Sequence, residues 1–196
     1  MRVSEKLRGA TVGDNCGGLT AAVEDSISLV SPLTRSPVPR IDLAIHVAAP
    51  PDRCFDLARS VEFHVRSTSS TREQAVAGVT HGLLGLGDSV TWRARHLGVT
   101  QELTSRITVF DRPRRFRDTQ VQGAFRRFDH DHYFEPAPGG GTVLRDVFDF
   151  EAPLGLLGRF AEWLFLTAYM RRFLSERALE IKSTAESTDW TKYVRA

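Results

Sequence analysis

The sequence predicts an α+β domain in which a curved antiparallel sheet of about seven strands wraps around a long C-terminal helix, with two short helices after the first strand. Residues 41–47 and residues 72–151 alternate apolar and polar side chains, as half-buried strands do. The connections between the later strands are short and rich in turn residues, so consecutive strands are expected to pair as antiparallel hairpins. From Pro153 to about Glu186 the apolar residues recur at helical spacing.

The first strand and the two short helices are predicted from residues 41–67. Apolar side chains alternate along IDLAIHV, and Pro50 and Pro51 then end the strand. Proline suits the first turn of a helix, where its missing N–H is not needed, so PPDRCFDLARS is expected to begin one. The stretch SVEFHVRS is expected to add a second short helix.

About six more strands are expected between Arg72 and Glu151. They are REQAVAGVT, GDSVTWRARH, QELTSRITVF, RFRDTQVQ, FRRFDHDHYFE and GTVLRDVFDFE. The final helix, at roughly thirty residues and 1.5 Å each, spans about 45 Å and is long enough to cross such a sheet. A concave sheet facing one helix tends to leave a cavity, which is where small molecules bind.

Composition and linkers indicate one main domain. The 196 residues suffice for one substantial core, and 41% hydrophobic with 26% charged residues is ordinary for a globular protein. Residues 1–40 mix Gly, Ser, Thr and Pro and end in SPLTRSPVPR, so we expect a flexible N-terminal appendage there. Residues 41–186 are expected to form the domain, and residues 187–196 a C-terminal tail.

Several partner classes are not expected. The formal net charge of +2 gives no reason to predict binding to nucleic acid, and the arginines near residues 112–117 and 126–127 are interpreted as a solvated surface. Cys16 and Cys54 form no CxxC pair, and the N-terminus lacks the apolar run of a secretory signal. We therefore expect a cytoplasmic protein without stable membrane insertion, and the sequence predicts no oligomeric state.

The stretch FDHDHYF, residues 128–134, holds two histidines on one predicted face. Because strand side chains alternate, the expected inward set is Phe128, His130, His132 and Phe134. Asp129, Asp131 and Tyr133 are expected to face outward. In the following strand, Asp146 and Phe148 lie on the apolar side. If the PAPGGG loop places Phe134 opposite Thr142, His130 lies opposite Asp146, with Cβ atoms about 5 Å apart.

The same alternation selects the other candidates. Trp92 and His96 share a face of one strand, Asp118 lies on the next, and Met170 and Phe173 come from the last helix together with Trp163 and Tyr169. The predicted ligand-binding set is His64, Trp92, His96, Asp118, Phe128, His130, His132, Phe134, Asp146, Phe148, Met170 and Phe173.

Four interpretations of the buried histidines are considered. They can satisfy one another and the aspartates in a structural network, because unpaired polar groups are costly to bury. They can orient a ligand, or His130 paired with Asp146 can act as acid and base. An HxH pair with His96 or Asp146 as a third ligand can also hold a metal, but an isolated HxH is common by chance, so no metal and no cofactor is expected. No serine or cysteine nucleophile signature accompanies them.

Five stretches of residues 41–186 carry a family resemblance: IHVAAPPDRCFDLARS, GLLGLGDSVTWRARHLG, RPRRFRDTQVQGAF, FDHDHYFEPAPGGGTVLRD and FEAPLGLLGRFAEWLF. They resemble the SRPBCC superfamily, also called START-like or Bet v 1-like, and most closely a bacterial ligand-binding branch related to polyketide cyclase/dehydrase proteins. It implies a helix-grip fold with a deep hydrophobic cavity. The function it implies is binding of a hydrophobic or amphipathic small molecule, lipid or polyketide-like, with a cyclase, dehydratase or isomerase, or a non-catalytic interaction module, as alternatives.

Overall fold

The computed structural model describes residues 39–96, 98–151 and 165–194. The strands are β1 (Arg40–Val47), β2 (Gln74–Gly78), β3 (Ser89–His96), β4 (Val99–Asp111), β5 (Arg115–Gln122), β6 (Arg127–Pro136) and β7 (Thr142–Glu151). The helices are α1 (Pro51–Ala58), α2 (Val61–Ser67) and α3 (Thr167–Ala185), with 3-10 turns at Ser69–Thr71 and Asp189–Lys192. Residues 1–38, the predicted start of the last helix at Pro153, and Trp163 lie outside the described residues.

The seven strands form one antiparallel sheet in the order β1-β7-β6-β5-β4-β3-β2. Strands β2 to β7 pair with their neighbours in sequence, as the short connections predict, and β1 completes the sheet beside β7. The pairing register shifts between Ala75 and Ala77 and between Ile107 and Val109, and such irregularities bend a sheet. The predicted α+β helix-grip arrangement is confirmed.

Helices α1 and α2 begin where the sequence predicts. Pro51 occupies the first turn of α1. The Ser60 hydroxyl accepts a hydrogen bond of 3.3 Å from the Phe63 N–H, which caps the start of α2. On α1, Phe55 is fully buried and meets Phe110, Phe116 and Phe134 edge-on at centroid distances of 5.3–5.4 Å. These rings form the centre of the main core.

Helix α3 packs an apolar stripe against the sheet and α1. Its buried residues include Met170, Leu174, Ala178 and Ile181, all predicted from the spacing. The helix ends at Ala185, one residue before the predicted end. None of the helices in the described residues combines the length and the apolar character needed to cross a lipid bilayer.

The pairing of β6 with β7 differs from the prediction by two residues. Phe134 lies opposite Leu144 rather than Thr142, and Asp146 therefore lies opposite His132 rather than His130. The strands continue to the pair Pro136 and Thr142 because the intervening turn is tight. Its three glycines, residues 139–141, all have positive φ, which lets the chain reverse in fewer residues than expected. A shift of two preserves the faces, so the inward set is unchanged.

Asp131 lies on the outer face of the sheet, as predicted, but its side chain is buried there. Asp131 is 4% exposed, because Arg115 and Arg117 on the neighbouring strand cover it and bind its carboxylate at 2.7 Å. Arg112 is likewise paired, at 2.6 Å from the Asp56 carboxylate. Much of the positive charge in this arginine cluster is therefore matched by carboxylates on the protein itself.

Candidate functional site

Between the inner face of the sheet and α3, the described residues line a cavity of about 290 Å³. Its walls come from α1, α2, strands β3 to β7 and α3, and most of the lining side chains are apolar. The apolar walls include Trp92, Leu103, Ile107, Phe125, Phe128, Phe148, Met170 and Phe173.

Ten of the twelve predicted site residues line this cavity. They are His64, Trp92, His96, Asp118, Phe128, His130, His132, Phe148, Met170 and Phe173. The other two lie behind the wall. Phe134 packs between Phe55 and Phe116 in the main core, and Asp146 lies beneath the two histidines with 2% exposure. The sequence assigned these two to the correct face, but neither is among the residues that reach the cavity.

On one wall, two imidazoles are held between two carboxylates. On the Asp118 side, His132 Nε2 is 3.0 Å and His130 Nδ1 is 3.8 Å from Asp118 Oδ1. On the opposite side, His132 Nδ1 is 2.6 Å and His130 Nε2 is 3.4 Å from Asp146 Oδ1. The two rings are 3.9 Å apart, and Asp118 is the group with the largest exposed fraction, 20% of its side chain. We call these four residues the imidazole–carboxylate cluster.

The hydrogen bonding of this cluster is incomplete. His132 Nε2 and Asp118 Oδ1 form a hydrogen bond, but His130 Nε2, His132 Nδ1 and Asp146 Oδ1 have none. The contact of 2.6 Å between His132 and Asp146 is close enough for an ion pair, although the ring N–H is not aimed along it. Part of the predicted mutual satisfaction is therefore present, and part is missing.

The pKa values of the two imidazoles in this cluster shift in opposite directions. Burial opposes the charge on His132, but the carboxylates of Asp146 and Asp118 outweigh burial and raise its pKa. Burial and the neighbouring His132 charge lower the pKa of His130. Burial also opposes charge on both aspartates, yet the two imidazoles keep the carboxyl pKa values below their usual range. These opposite directions favour protonation of His132 over protonation of His130.

A second polar group of residues lies elsewhere on the cavity lining. His64 stacks on Trp92 with centroids 4.0 Å apart, and its Nε2 is 3.2 Å from the carboxylate of Glu73, which is 6% exposed. The Tyr169 hydroxyl and His96 Nδ1 form a hydrogen bond of 2.7 Å across the gap between β3 and α3. Burial lowers the pKa of His96, although the nearby Glu73 charge opposes the shift.

The sequence reasoning missed three charged cavity residues, Arg59, Glu73 and Arg177. Arg177 is 5% exposed and donates to the Ala58 carbonyl at 2.8 Å, which ties α3 to the end of α1. A signal for it existed, because it follows Met170 by seven residues and so lies on the buried stripe of α3. Glu73 precedes a short edge strand and carried no such signal.

Comparison with known families identifies the group to which this fold belongs. Residues 38–186 match the family described as polyketide cyclase / dehydrase and lipid transport. The chain belongs to this family. The predicted relationship to polyketide cyclase/dehydrase proteins is thereby confirmed. Among curated proteins there is no significant match.

Solved structures show the same fold at low sequence identity. A protein from Thermus thermophilus is 18% identical, with a TM-score of 0.62 over 75% of this chain and 97% of its own. The Zhui aromatase/cyclase of Streptomyces sp. R1128 is 16% identical, with a TM-score of 0.62 over 76% and 94% of the two chains. A START superfamily protein of Mycobacterium smegmatis is 12% identical, with a TM-score of 0.58 over 75% and 97%. At these identities the likeness shows the fold alone.

Proposed function

We propose that the protein binds a hydrophobic or amphipathic small molecule in the cavity between the sheet and α3. The observation that carries the proposal is an apolar cavity with buried titratable groups on its wall. The body of the ligand packs against Trp92, Phe128 and Phe148, and a polar group of the ligand lies against Asp118 and His130. Family membership supports this class of ligand, since the family description includes lipid transport.

The volume of the cavity suits one compact ligand. At about 290 Å³ it lies near the lower end of small-molecule sites, which span roughly 300–1,000 Å³. The polar side chains of the wall favour a ligand with at least one hydroxyl, carbonyl or carboxylate, because an alkane would leave those buried groups without partners. A lipid acid or a polyketide-like phenol meets both conditions.

A titration with 8-anilino-1-naphthalenesulfonate, with competition by palmitate and 2-naphthol, tests the proposal. The key variant is Ala94→Leu, because Ala94 lines the cavity and the added methyl groups occupy it. The matched control is Ala44→Leu, on the exposed outer side of β1. We expect Ala94→Leu to weaken probe binding at least about tenfold and the control to match the wild type. Equal affinity in all three proteins, or native mass spectra without any retained or added ligand, would contradict the proposal.

A second candidate function is proton transfer on a bound ligand, as in a cyclase, dehydratase or isomerase. His130 lines the cavity, and its Nε2 lies 3.4 Å from the Asp146 carboxylate behind it, an arrangement that orients an imidazole for acid–base work. The family description and the likeness to the Zhui aromatase/cyclase support this candidate.

Deuterium exchange at the α-carbon of 1-tetralone, an enolisable aromatic ketone, tests the second candidate by NMR. We expect the wild type to accelerate the exchange and His130→Gln to lose the acceleration while still binding 8-anilino-1-naphthalenesulfonate. Dialysis against EDTA should leave the wild-type rate unchanged if the imidazole itself moves the proton. An unchanged rate in His130→Gln would refute the role of this residue.

A further inference from the structure

We propose that Asp118, His130 and His132 form a binding site for one divalent transition-metal ion at the wall of the cavity. The inference is independent of the ligand-binding proposal, and it departs from the expectation of no metal drawn from the sequence. The third ligand it names is also different from the two, His96 and Asp146, that the sequence suggested.

The spacing of the donor atoms fits a metal ion. With metal–nitrogen and metal–oxygen distances of about 2.0–2.1 Å and tetrahedral angles, donor atoms lie about 3.3 Å from one another. Asp118 Oδ1 is 3.0 Å from His132 Nε2 and 3.8 Å from His130 Nδ1, on either side of that value. One donor atom from each of the three residues lies within 4.8 Å of the others. Small side-chain rotations suffice to close the set around an ion.

Asp146 supplies the carboxylate that commonly lies behind the histidine ligands of a metal site. Imidazoles that bind a metal through one ring nitrogen usually direct the other toward a carboxylate, which fixes the tautomer. Here both remaining nitrogens, His132 Nδ1 and His130 Nε2, lie beside the same oxygen of Asp146, at 2.6 Å and 3.4 Å. A metal on the Asp118 side leaves a proton on each of these nitrogens, and a rotation of each ring would direct that proton toward the carboxylate.

The imperfect hydrogen-bond geometry between the two rings and Asp146 is a further sign of a missing group. His130, His132 and Asp146 are 6%, 3% and 2% exposed, yet their contacts of 2.6 Å and 3.4 Å lack hydrogen-bond geometry. Native proteins rarely leave such groups unpaired, because each costs about 1–3 kcal/mol. A bound ion would set both tautomers and so supply donors for Asp146.

The charges also balance. Two carboxylates, Asp118 and Asp146, and two neutral imidazoles carry a formal charge that a divalent cation cancels. Arg177 contributes further positive charge close to Asp118, so the affinity will be lower than that of an all-acidic site. Imidazole and carboxylate donors suit Zn²⁺, Fe²⁺ or Co²⁺ rather than Ca²⁺ or Mg²⁺, which prefer oxygen ligands. Three protein ligands leave a coordination position that faces the cavity, where an oxygen of its occupant can bind.

The test uses the full chain, freed of metal with EDTA and then titrated with Co²⁺ by visible absorption and with Zn²⁺ by calorimetry. We expect one equivalent of either ion to bind and one or more protons to be released, because the metal replaces the proton between His132 and Asp118. Asp118→Asn and His132→Gln should each weaken binding at least about 100-fold, and Asp146→Asn by about 10- to 100-fold. His81→Gln, an exposed histidine between β2 and β3 and outside the cavity, should bind as the wild type does.

The wild-type titration is decisive even if a variant fails to fold, which circular dichroism will reveal. Absence of Co²⁺ absorption and of Zn²⁺ heat in the wild type would overturn the metal site, and the four residues would then be a proton-linked network only. Binding that survives in both Asp118→Asn and His132→Gln, or that disappears in His81→Gln, would overturn the assigned ligands. Probe binding by the metal-free protein distinguishes failure of this site from failure of the ligand-binding proposal.

Discussion

Asp146 on β7 lies directly opposite His132 on β6, and its Oδ1 is 2.6 Å from His132 Nδ1. Both residues are almost fully buried, at 2% and 3% exposure. A buried ion contact of this kind holds two neighbouring strands in register, and its removal leaves the remaining charge without a partner in an apolar interior.

Replacement of Asp146 by Ala should therefore reduce the free energy of unfolding by about 3–5 kcal/mol, because it leaves the His132 charge buried and less well compensated. Urea denaturation followed by circular dichroism measures the loss. The matched control is Asp149→Asn on the same strand, whose carboxylate is 28% exposed and 3.7 Å from Arg40. The control should cost at most about 1 kcal/mol. Similar losses in both variants would contradict the importance of the buried contact.

Phe134 and Phe128 lie on the same face of β6 but should differ in effect, because only Phe128 lines the cavity. Phe134→Leu and Phe128→Leu should each reduce the free energy of unfolding by about 1–3 kcal/mol. Only Phe128→Leu should change the affinity for 8-anilino-1-naphthalenesulfonate severalfold, measured by fluorescence titration. A larger affinity change in Phe134→Leu would mean that the ring assigned to the core contacts the ligand.

Asp56 should make stability depend on pH in the acid range. Burial opposes its charge, but Arg112 and Arg59 outweigh burial and keep its pKa below the model-peptide value of 3.8. A carboxyl with a lowered pKa in the folded state contributes stability above its unfolded pKa and loses it as pH falls through the folded pKa. Asp56→Asn should therefore be less stable than the wild type at pH 7, and the difference should shrink below about pH 4.

Urea denaturation at several pH values measures this difference, with Asp52→Asn on the exposed side of the same helix as control. The control should follow the wild-type curve across the range. Because Arg112 is about half exposed, we expect the contribution of Asp56 to be modest. A gap between wild type and Asp56→Asn that widens on acidification would show that the sign is wrong.

Gly78 should tolerate no side chain, since two separate restraints apply to it. Its φ is +73°, and an added Cβ would overlap the backbone oxygen of Ser89 on the paired strand. Gly82 has a similar φ of +84° but open space around the added atom. Gly78→Ala should lower the free energy of unfolding by at least about 1 kcal/mol more than Gly82→Ala, because only the first adds a steric overlap. Thermal denaturation of the two variants in parallel checks this. Equal losses of stability would mean that the positive φ alone, and not the steric overlap, causes the effect.

The faces of the strands were predictable because side-chain alternation is a local property of an extended chain. His130, His132 and Phe128 were correctly assigned inward from sequence alone. The partner of each residue was not predictable in the same way. Three glycines with positive φ allow the β6–β7 turn to be tighter than assumed. Asp146 therefore lies opposite His132 rather than His130, on the same face of the sheet.

The sequence also could not predict which inward-facing side chains reach the cavity and which are covered by other residues. Phe134 and Phe128 have the same local pattern, yet Phe134 is covered by Phe55 of α1, while Phe128 lines the cavity. Glu73 and His64 were assigned to different elements, a strand and a short helix, and only the packing of α2 against β2 brings the two side chains together.

The sequence by itself determined the succession of strands and helices, the apolar stripe of α3 and the set of polar side chains on the inner face, because each depends on residues close together in the chain. Only the tertiary structure decided which of those polar groups contact one another and which lie beneath the cavity wall. It also decided that Asp118 and Asp146 lie on opposite sides of the His130 and His132 rings. Those relationships depend on strand register and helix docking, where small shifts in turn geometry change every contact.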